Sequence, residues 1–324
     1  METSLAFGPV PSRRLGRSLG INNVPPKVCS YSCVYCQLGR TIKMSAERQE
    51  FYPPQELAQA VRERVEELRA TGEPVDYLTF VPDGEPTLDI NLGREIELLR
   101  PLGISIAVIC NSSLIWREEV RAELLRADWV SLKVDSTRED VWRRIDRPHG
   151  SLTLDSVLEG VEEFASTFGG QLVTETMLVH GVNDQPEQLP EVAQFISELH
   201  PSVAYLSIPT RPPAEDWVQP PTEENLNQAY QILSERLDSV EYLIGYEGDA
   251  FASTGDVIQD LLSITAVHPL RREAVSKLLA KAKADWAVVE ELVEGGLLVE
   301  TCYAGKVLYV RRFGRVGPSN KPVA

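Results

Sequence analysis

No apolar run in the 324-residue chain is long enough to span a bilayer, which excludes a membrane-spanning helix. The opening METSLAFGPVPSRR lacks the basic start and apolar stretch of a secretory signal, so the expectation is a cytoplasmic protein. Low-complexity tracts are absent, and 43% apolar with 25% charged residues is the composition of a folded protein. Positive charge is in short supply too. A formal net charge of −16 excludes a surface that attracts nucleic acid throughout. The deficit is uneven: residues 1–43 carry six Lys or Arg against Glu2 alone, and residues 265–324 carry ten against six acidic residues. Either end can meet an anion, although solvated charge accounts for the C-terminal excess equally well.

Cysteine is scarce as well, and three of the five lie within eight positions. In VCSYSCVYCQLGR, Cys29, Cys33 and Cys36 have no fourth ligand nearby; the others are Cys110 and Cys302, and the next histidine is His149. Closely spaced cysteines in a reducing compartment bind metal more often than they pair. Spacing of i, i+4, i+7 turns three sulfurs to one side of a helix-like backbone. Structural zinc takes four protein ligands, whereas three thiolates suit a four-iron four-sulfur (4Fe-4S) cluster with one iron left open for chemistry. Cys110 and Cys302 are too few for a second cluster. Cys110 reads as core and Cys302 as structural.

From residue 54 the pattern alternates. PPQELAQAVRERVEELRATG places Leu57, Val61, Val65 and Leu68 at helical spacing. Short apolar runs of strand type (VDYLTFV, ISIAVIC, DWVSLKV, LVTETMLV, VAYLSIP) then alternate with helical segments. With SLGINNV ahead of the cysteines this makes six β–α units, hence a parallel sheet. No GxGxxG follows the first strand, so a dinucleotide-binding sheet gives way to a complete or partial (β/α) barrel. Beyond a seventh strand, VEYLIGYEG, the texture changes to helix, helix and a hairpin turning at Ala304-Gly305, the order of a winged-helix-like module. Its role is packing or partner docking on one reading and nucleic-acid contact on the other. The expected domains are a core at 1–250, a connecting helix at 251–264, the winged-helix-like unit at 265–315 and a flexible tail at 316–324. The Pro-rich IPTRPPAEDWVQPP suits a loop at a site mouth.

A CxxxCxxC motif with Tyr35 before its last cysteine, placed after the first strand of a (β/α) series, resembles the radical S-adenosylmethionine (radical SAM) superfamily. VPDGEPTL strengthens the likeness. Gly84-Glu85-Pro86 resembles the superfamily's Gly-Gly-Glu-Pro motif, with Asp83 in place of the first glycine. FGPVPSRRLGRSLGI, CQLGRT, NSSLI, RPH at residues 147–149 and PTRPPAE extend it, over about the first 250 residues, to a subgroup that includes or borders the enzymes building the wyosine base of tRNA. The resemblance implies an α/β fold, a partial (β/α)6 barrel of radical SAM type, with a small C-terminal winged-helix-like domain. The implied cofactors are a 4Fe-4S cluster held by Cys29, Cys33 and Cys36 and S-adenosyl-L-methionine (SAM). Reductive cleavage of SAM would yield methionine and a 5′-deoxyadenosyl radical that abstracts a substrate hydrogen.

The resemblance also implies site residues. Gly84, Glu85 and Pro86 would bind the amino group of the methionine moiety, and Tyr35 would lie on the adenine side. Asn111, Ser112, Lys133 and Asp135 are candidates for the ribose hydroxyls and the carboxylate; Thr176, Val179 and Gly181 belong to the region that packs on adenine. The plain alternative for each polar residue is capping a strand end or loop. Arg13 and Arg14 can fork onto a phosphate or carboxylate near the cluster, or pair with acidic side chains on the surface. In DVWRRIDRPHG, the cations Arg143, Arg144, Arg147 and His149 with Trp142 can reach a nucleotide, or Trp142 and Ile145 can anchor the core. Arg211 is a similar candidate on the opposite rim. Three functions follow: a radical SAM enzyme acting on a nucleobase or RNA, one modifying a peptide or protein side chain, or a non-catalytic protein with structural zinc. The enzyme readings call for a reductant protein such as a ferredoxin or flavodoxin and an RNA or protein substrate, with no membrane partner.

Overall fold

Parallel strands packed under helices bury their covered face, and the sheet at the centre of this chain is largely buried, with polar residues such as Ser131, Thr174 and Thr176 among its apolar ones. A computed structural model describes residues 4–243, 256–267, 269–303 and 305–312. It opens with β1 (Ala6–Ser12) and β2 (Gly16–Ile21), followed by the short pair β3 (Val28–Cys29) and β4 (Lys43–Met44). The repeating part runs α1 (Pro54–Ala70), β5 (Tyr77–Phe80), α2 (Leu92–Leu99), β6 (Ser105–Cys110), α3 (Glu118–Leu124) and β7 (Trp129–Lys133). It continues through α4 (Glu139–Ile145), α5 (Leu154–Thr167), β8 (Gln171–Met177), α6 (Leu189–Glu198), β9 (Val203–Ser207), α7 (Glu223–Ser234) and β10 (Val240–Leu243).

The strand order β1-β2-β5-β6-β7-β8-β9-β10 is parallel from β2 to β10, and only β1 runs antiparallel. Among the described residues β1 and β10 are its two edges, so the sheet is a partial barrel that does not close. Helix α1 shows why the helices cover it: Leu57, Ala58, Val61, Val65 and Leu68 form one buried stripe behind a proline at the first turn. Six β–α units are present as expected, and α4 is an additional short helix between β7 and α5.

The N-terminal strand is a departure. Where the sequence suggests a lead-in segment carrying Arg13 and Arg14, β1 pairs with β2 from Ala6↔Ile21 to Ser12↔Gly16. Any side chain on Gly20 would collide with the ring of Phe7, so glycine there lets the hairpin close. The hairpin tip enters the barrel. Leu15 is 2% exposed and packs with Ala107, Trp129, Val173 and Tyr205. An open half-barrel leaves inward-facing apolar residues with nothing to cover them, and the tip fills that space.

Past β10, helix α8 (Val257–Val267) leans on β1. Then come β11 (Leu270–Arg271), α9 (Arg272–Ala282), α10 (Ala287–Glu294) and the hairpin β12 (Leu298–Tyr303) and β13 (Lys306–Arg311). Strand β11 pairs with β13 to complete a three-stranded sheet, and a second core gathers Leu261, Leu270, Val275, Leu278 and Tyr309. This unit is tied to the barrel by Arg64 with Asp260 at 3.6 Å and by an ion pair between Lys281 and Glu73. Ala304 of the expected turn, the expected tail at 316–324 and residues 244–255 lie outside the described residues. No helix among the described residues is long and apolar enough to cross a membrane.

Truncating the plug should be costly. Leu15→Ala is expected to destabilise the fold by about 2–5 kcal/mol, the usual range for a leucine truncated in a packed core, as read from chemical denaturation. A loss below about 1 kcal/mol would show that the tip is not packed into the barrel.

Candidate active site

The three clustered cysteines sit on a loop fixed from outside rather than on a helix. Cys29 lies in β3 opposite Met44 of β4, and turns follow: Cys36 N donates to Cys33 O at 3.1 Å and Gly39 N to Cys36 O at 3.0 Å. The helix-like expectation fails because neighbouring segments dictate the backbone. Ser32 N and Val34 N donate to Asp146 O and Ile145 O at the end of α4 (3.0 and 2.9 Å), and Ser45 N donates to Cys29 O (3.1 Å). All three thiols are half-buried. Burial, followed by the charge of Glu85, pushes Cys29 up to about 12. Burial also raises Cys33 and Cys36, and Cys33 responds to the charges of both other cysteines.

Among the described residues no three His, Cys, Asp or Glu side chains are grouped to hold a single metal ion. A cluster places different requirements on its ligands, because each thiolate takes its own iron. Three soft sulfur donors on one loop fit that demand, and loading the site would release the protons that burial holds on the thiols.

The segment at the end of β5 lies directly against this loop. Gly84 bridges to Val28, and Glu85 N donates to Val28 O at 3.2 Å. A side chain on Gly84 would collide with that carbonyl. The Glu85 carboxylate is 1% exposed. It accepts from Thr87 N (3.0 Å), Thr87 Oγ1 (2.6 Å) and Asn111 N (2.8 Å), and burial raises it to about 7 despite these bonds. Asn111, just after β6, completes the link: its Nδ2 donates to Ser30 Oγ at 3.0 Å and lies 3.5 Å from Cys29 Sγ. Glutamate, asparagine and the first cysteine thus form one connected set.

Beside the loop opens a cleft of about 290 Å³, lined among others by Arg14, Tyr35, Cys36, Lys133, Glu175 and Arg211. Glu175, which sequence reasoning missed, organises its charges. It takes Arg14 at 2.6 Å, Lys133 at 3.1 Å and the hydroxyl of Ser207 at 3.0 Å. Burial alone would raise this carboxyl, but Lys133 and then Arg14 prevail and hold it down at about 2. Arg14 also lies 5.9 Å from the rings of Trp129 and Tyr205, so its anion is an internal carboxylate. Lys133 lies 4.9 Å from the centre of the Tyr35 ring. The Tyr35 hydroxyl sits 2.5 Å from Asp135 and 2.9 Å from Asp146. Burial, and then the charge of Asp135, raises the Asp146 carboxyl.

Other candidates fall elsewhere. Thr176 Oγ1 donates to Val134 O (2.7 Å), and Ser112 Oγ accepts from Lys133 N (2.9 Å), so both tie strand ends together. Gly181 N donates to Asp184 (2.8 Å) in the loop after β8, and Asp135 backs Tyr35 from a fully buried position. Arg13 donates to Tyr242 O (3.4 Å), and Arg211 donates to Gln37. Arg147 shares Glu215 with Arg40 (2.6 and 2.9 Å), and His149 contacts Ser151 Oγ (2.8 Å). Trp142 is buried against Tyr31, which is the core-anchor alternative for that segment. Cys110 is buried with its thiol toward Ser131 O, whereas Cys302 is exposed.

Comparison with known proteins decides the family. A model of the radical SAM superfamily matches residues 23–196, more than half of the chain. The chain belongs to the radical SAM superfamily. A UPF0026 protein of Methanocaldococcus jannaschii is 47% identical over 310 residues, covering 95% of this chain and 96% of that one. A probable dual-specificity RNA methyltransferase RlmN of Synechocystis is 35% identical over 99 residues, 30% of this chain and 28% of that one. The solved structure of TYW1 with a lysine-pyruvate adduct superposes with a TM-score of 0.51 at 18% identity, over 68% of this chain and 74% of that one, a likeness of fold. As a radical SAM protein the chain takes SAM and a 4Fe-4S cluster as cofactors.

The sign of the Glu175 effect gives a test. Its folded pKa lies below the unfolded value, so its stabilisation is present above about 4.5 and is lost as pH falls toward 2. Glu175→Gln should destabilise the protein at pH 7 by about 3–5 kcal/mol, because Arg14 loses its carboxylate partner and Lys133 keeps only Asp135. In denaturation curves the gap should narrow toward pH 2; a gap independent of pH would refute the assignment.

Proposed function

We propose that the chain is a radical SAM enzyme that acts on a nucleobase within RNA, receiving its electron from a ferredoxin- or flavodoxin-like protein in the cytoplasm. Cys29, Cys33 and Cys36 would hold the cluster, and Gly84, Glu85 and Pro86, with Asn111, would form the adjoining wall for the methionine end of SAM. The observation that carries this reading is the bonded set Cys29–Asn111–Glu85, which joins the cysteine loop to the Gly-Glu-Pro segment. When bound, the two cofactors supply reductive cleavage of SAM to methionine and a 5′-deoxyadenosyl radical.

The residues around them have separate tasks. Tyr35 offers an aromatic wall toward the nucleoside, held in place by Asp135 and Asp146. Lys133 and Glu175 fix each other's orientation at the floor of the cleft. Leu38, Met177 and Ile208 line it with apolar surface that limits water. An RNA substrate is supported by the local similarity to an RNA methyltransferase. It is supported also by Arg40 and Arg147, two cations on the single carboxylate of Glu215. The C-terminal unit, winged-helix-like in element order, would serve as a docking module for the same partner.

Protein purified without oxygen should be brown with about four irons per chain and should form 5′-deoxyadenosine from SAM and a strong reductant. Replacing any one of Cys29, Cys33 or Cys36 by Ala should abolish that product; its persistence with all three replaced would reject the chemistry. RNA recovered with the protein at low salt should be lost steeply as salt rises. Capture of a peptide substrate that survives high salt would favour protein modification instead.

A further inference from the structure

A buried lysine and a buried aspartic side chain beneath the cysteine loop have no role in the scheme above. Lys27 precedes Cys29 by two residues and adopts a left-handed backbone with φ of 64°. Its side chain is 9% exposed, and its ammonium lies 3.5 Å from Asp83 Oδ1. Lys27 Nζ and Asp83 Oδ2 make no hydrogen bond. The backbone already binds these segments together without the charges: Lys27 N donates to Asp83 O (2.6 Å), and Lys27 O accepts from Ile42 N and Lys43 N (3.0 Å each). A buried pair with unmet hydrogen-bonding capacity is weaker than well-packed apolar side chains of similar size, so a purely structural account does not explain it. Asp83 moreover stands where the superfamily motif has a glycine.

The lysine head points beneath the turn that carries the third cysteine. Lys27 Nζ lies 3.9 Å from where a side chain on Gly39 would begin, and Gly39 N is bonded to Cys36 O.

We propose that Lys27, anchored by Asp83, is a positioning residue whose buried charge raises the reduction potential of the cluster held through Cys36. This rests on the reading that the three cysteines hold the cluster. A reductant gives the cluster one electron and hence one further negative charge, and a fixed ammonium nearby stabilises the reduced form more than the oxidised one. The chain thereby makes its cluster easier to reduce.

The test is a redox titration of the reconstituted protein with dithionite and mediators, followed by optical and electron paramagnetic resonance spectra. Lys27→Met should retain iron but shift to a more negative potential. At a fixed potential near the wild-type midpoint its ratio of reduced to oxidised cluster should fall on the order of tenfold, about 59 mV for one electron. Lys27→Arg, which keeps the charge, should titrate close to wild type. An unchanged potential in fully loaded Lys27→Met, or an equal fall in Lys27→Arg, overturns the proposal. Should Lys27→Met fail to hold its cluster, Asp83→Asn decides: its potential should stay at or above wild type, and a negative shift overturns the proposal. Absence of iron from the wild-type protein would overturn the cluster reading and this inference together, whereas a loaded wild type indifferent to Lys27 overturns this inference alone.

Discussion

Three thiols without a fourth partner can be kept ready for a cluster only if the backbone carrying them is held from outside. That constraint governs this structure. The cysteine loop makes few bonds within itself and takes its shape from the end of α4, from β4 and from the Gly84-Glu85 segment. Asn111 extends the restraint to the end of β6. The strand ends that bring these segments together belong to the parallel sheet, so the barrel is the frame that sets the positions of the sulfurs.

Charge buried inside the barrel follows a second constraint. Arg14 and Lys133 are cations in the interior facing Glu175, with the carboxyls of Asp135 and Asp146 beside them both raised by burial. Such a set is tolerable only when opposite charges meet at short range and the remaining polar atoms find partners. The hairpin of β1 and β2 contributes in two ways. Leu15 fills apolar space, and Arg14 beside it brings the charge that helps hold Glu175 ionised. The arginine pair that looks, in sequence, like a contact for an external anion is therefore divided. One member is built into the interior, and the other reaches the backbone of β10.

Much of the fold was legible before any coordinates. The stripe of α1 and the apolar runs of β5 to β9 announced their elements because periodicity survives in helices and strands that bury one face or both. The cysteine triplet and Gly84-Glu85-Pro86 were legible as motifs because their chemistry depends on residue type and short spacing. What stayed hidden has a common character. The non-helical path of the cysteine loop and the role of Glu175 depend on partners distant in sequence: Arg14 and Glu175 are 161 residues apart, and Asn111 and Cys29 are 82 apart.

The sequence by itself determined the family, the cofactor chemistry and the alternation of helices and strands from α1 to α7, since each is written in local pattern and in residue identity. Tertiary structure decided which polar residues face the cleft and which are consumed in holding it: Thr176 and Ser112 turned out to tie strands, while Glu175 emerged at its centre. The physical reason is that a side chain's chemistry is set by the charges and donors within a few ångströms of it, and folding, not sequence proximity, supplies those neighbours.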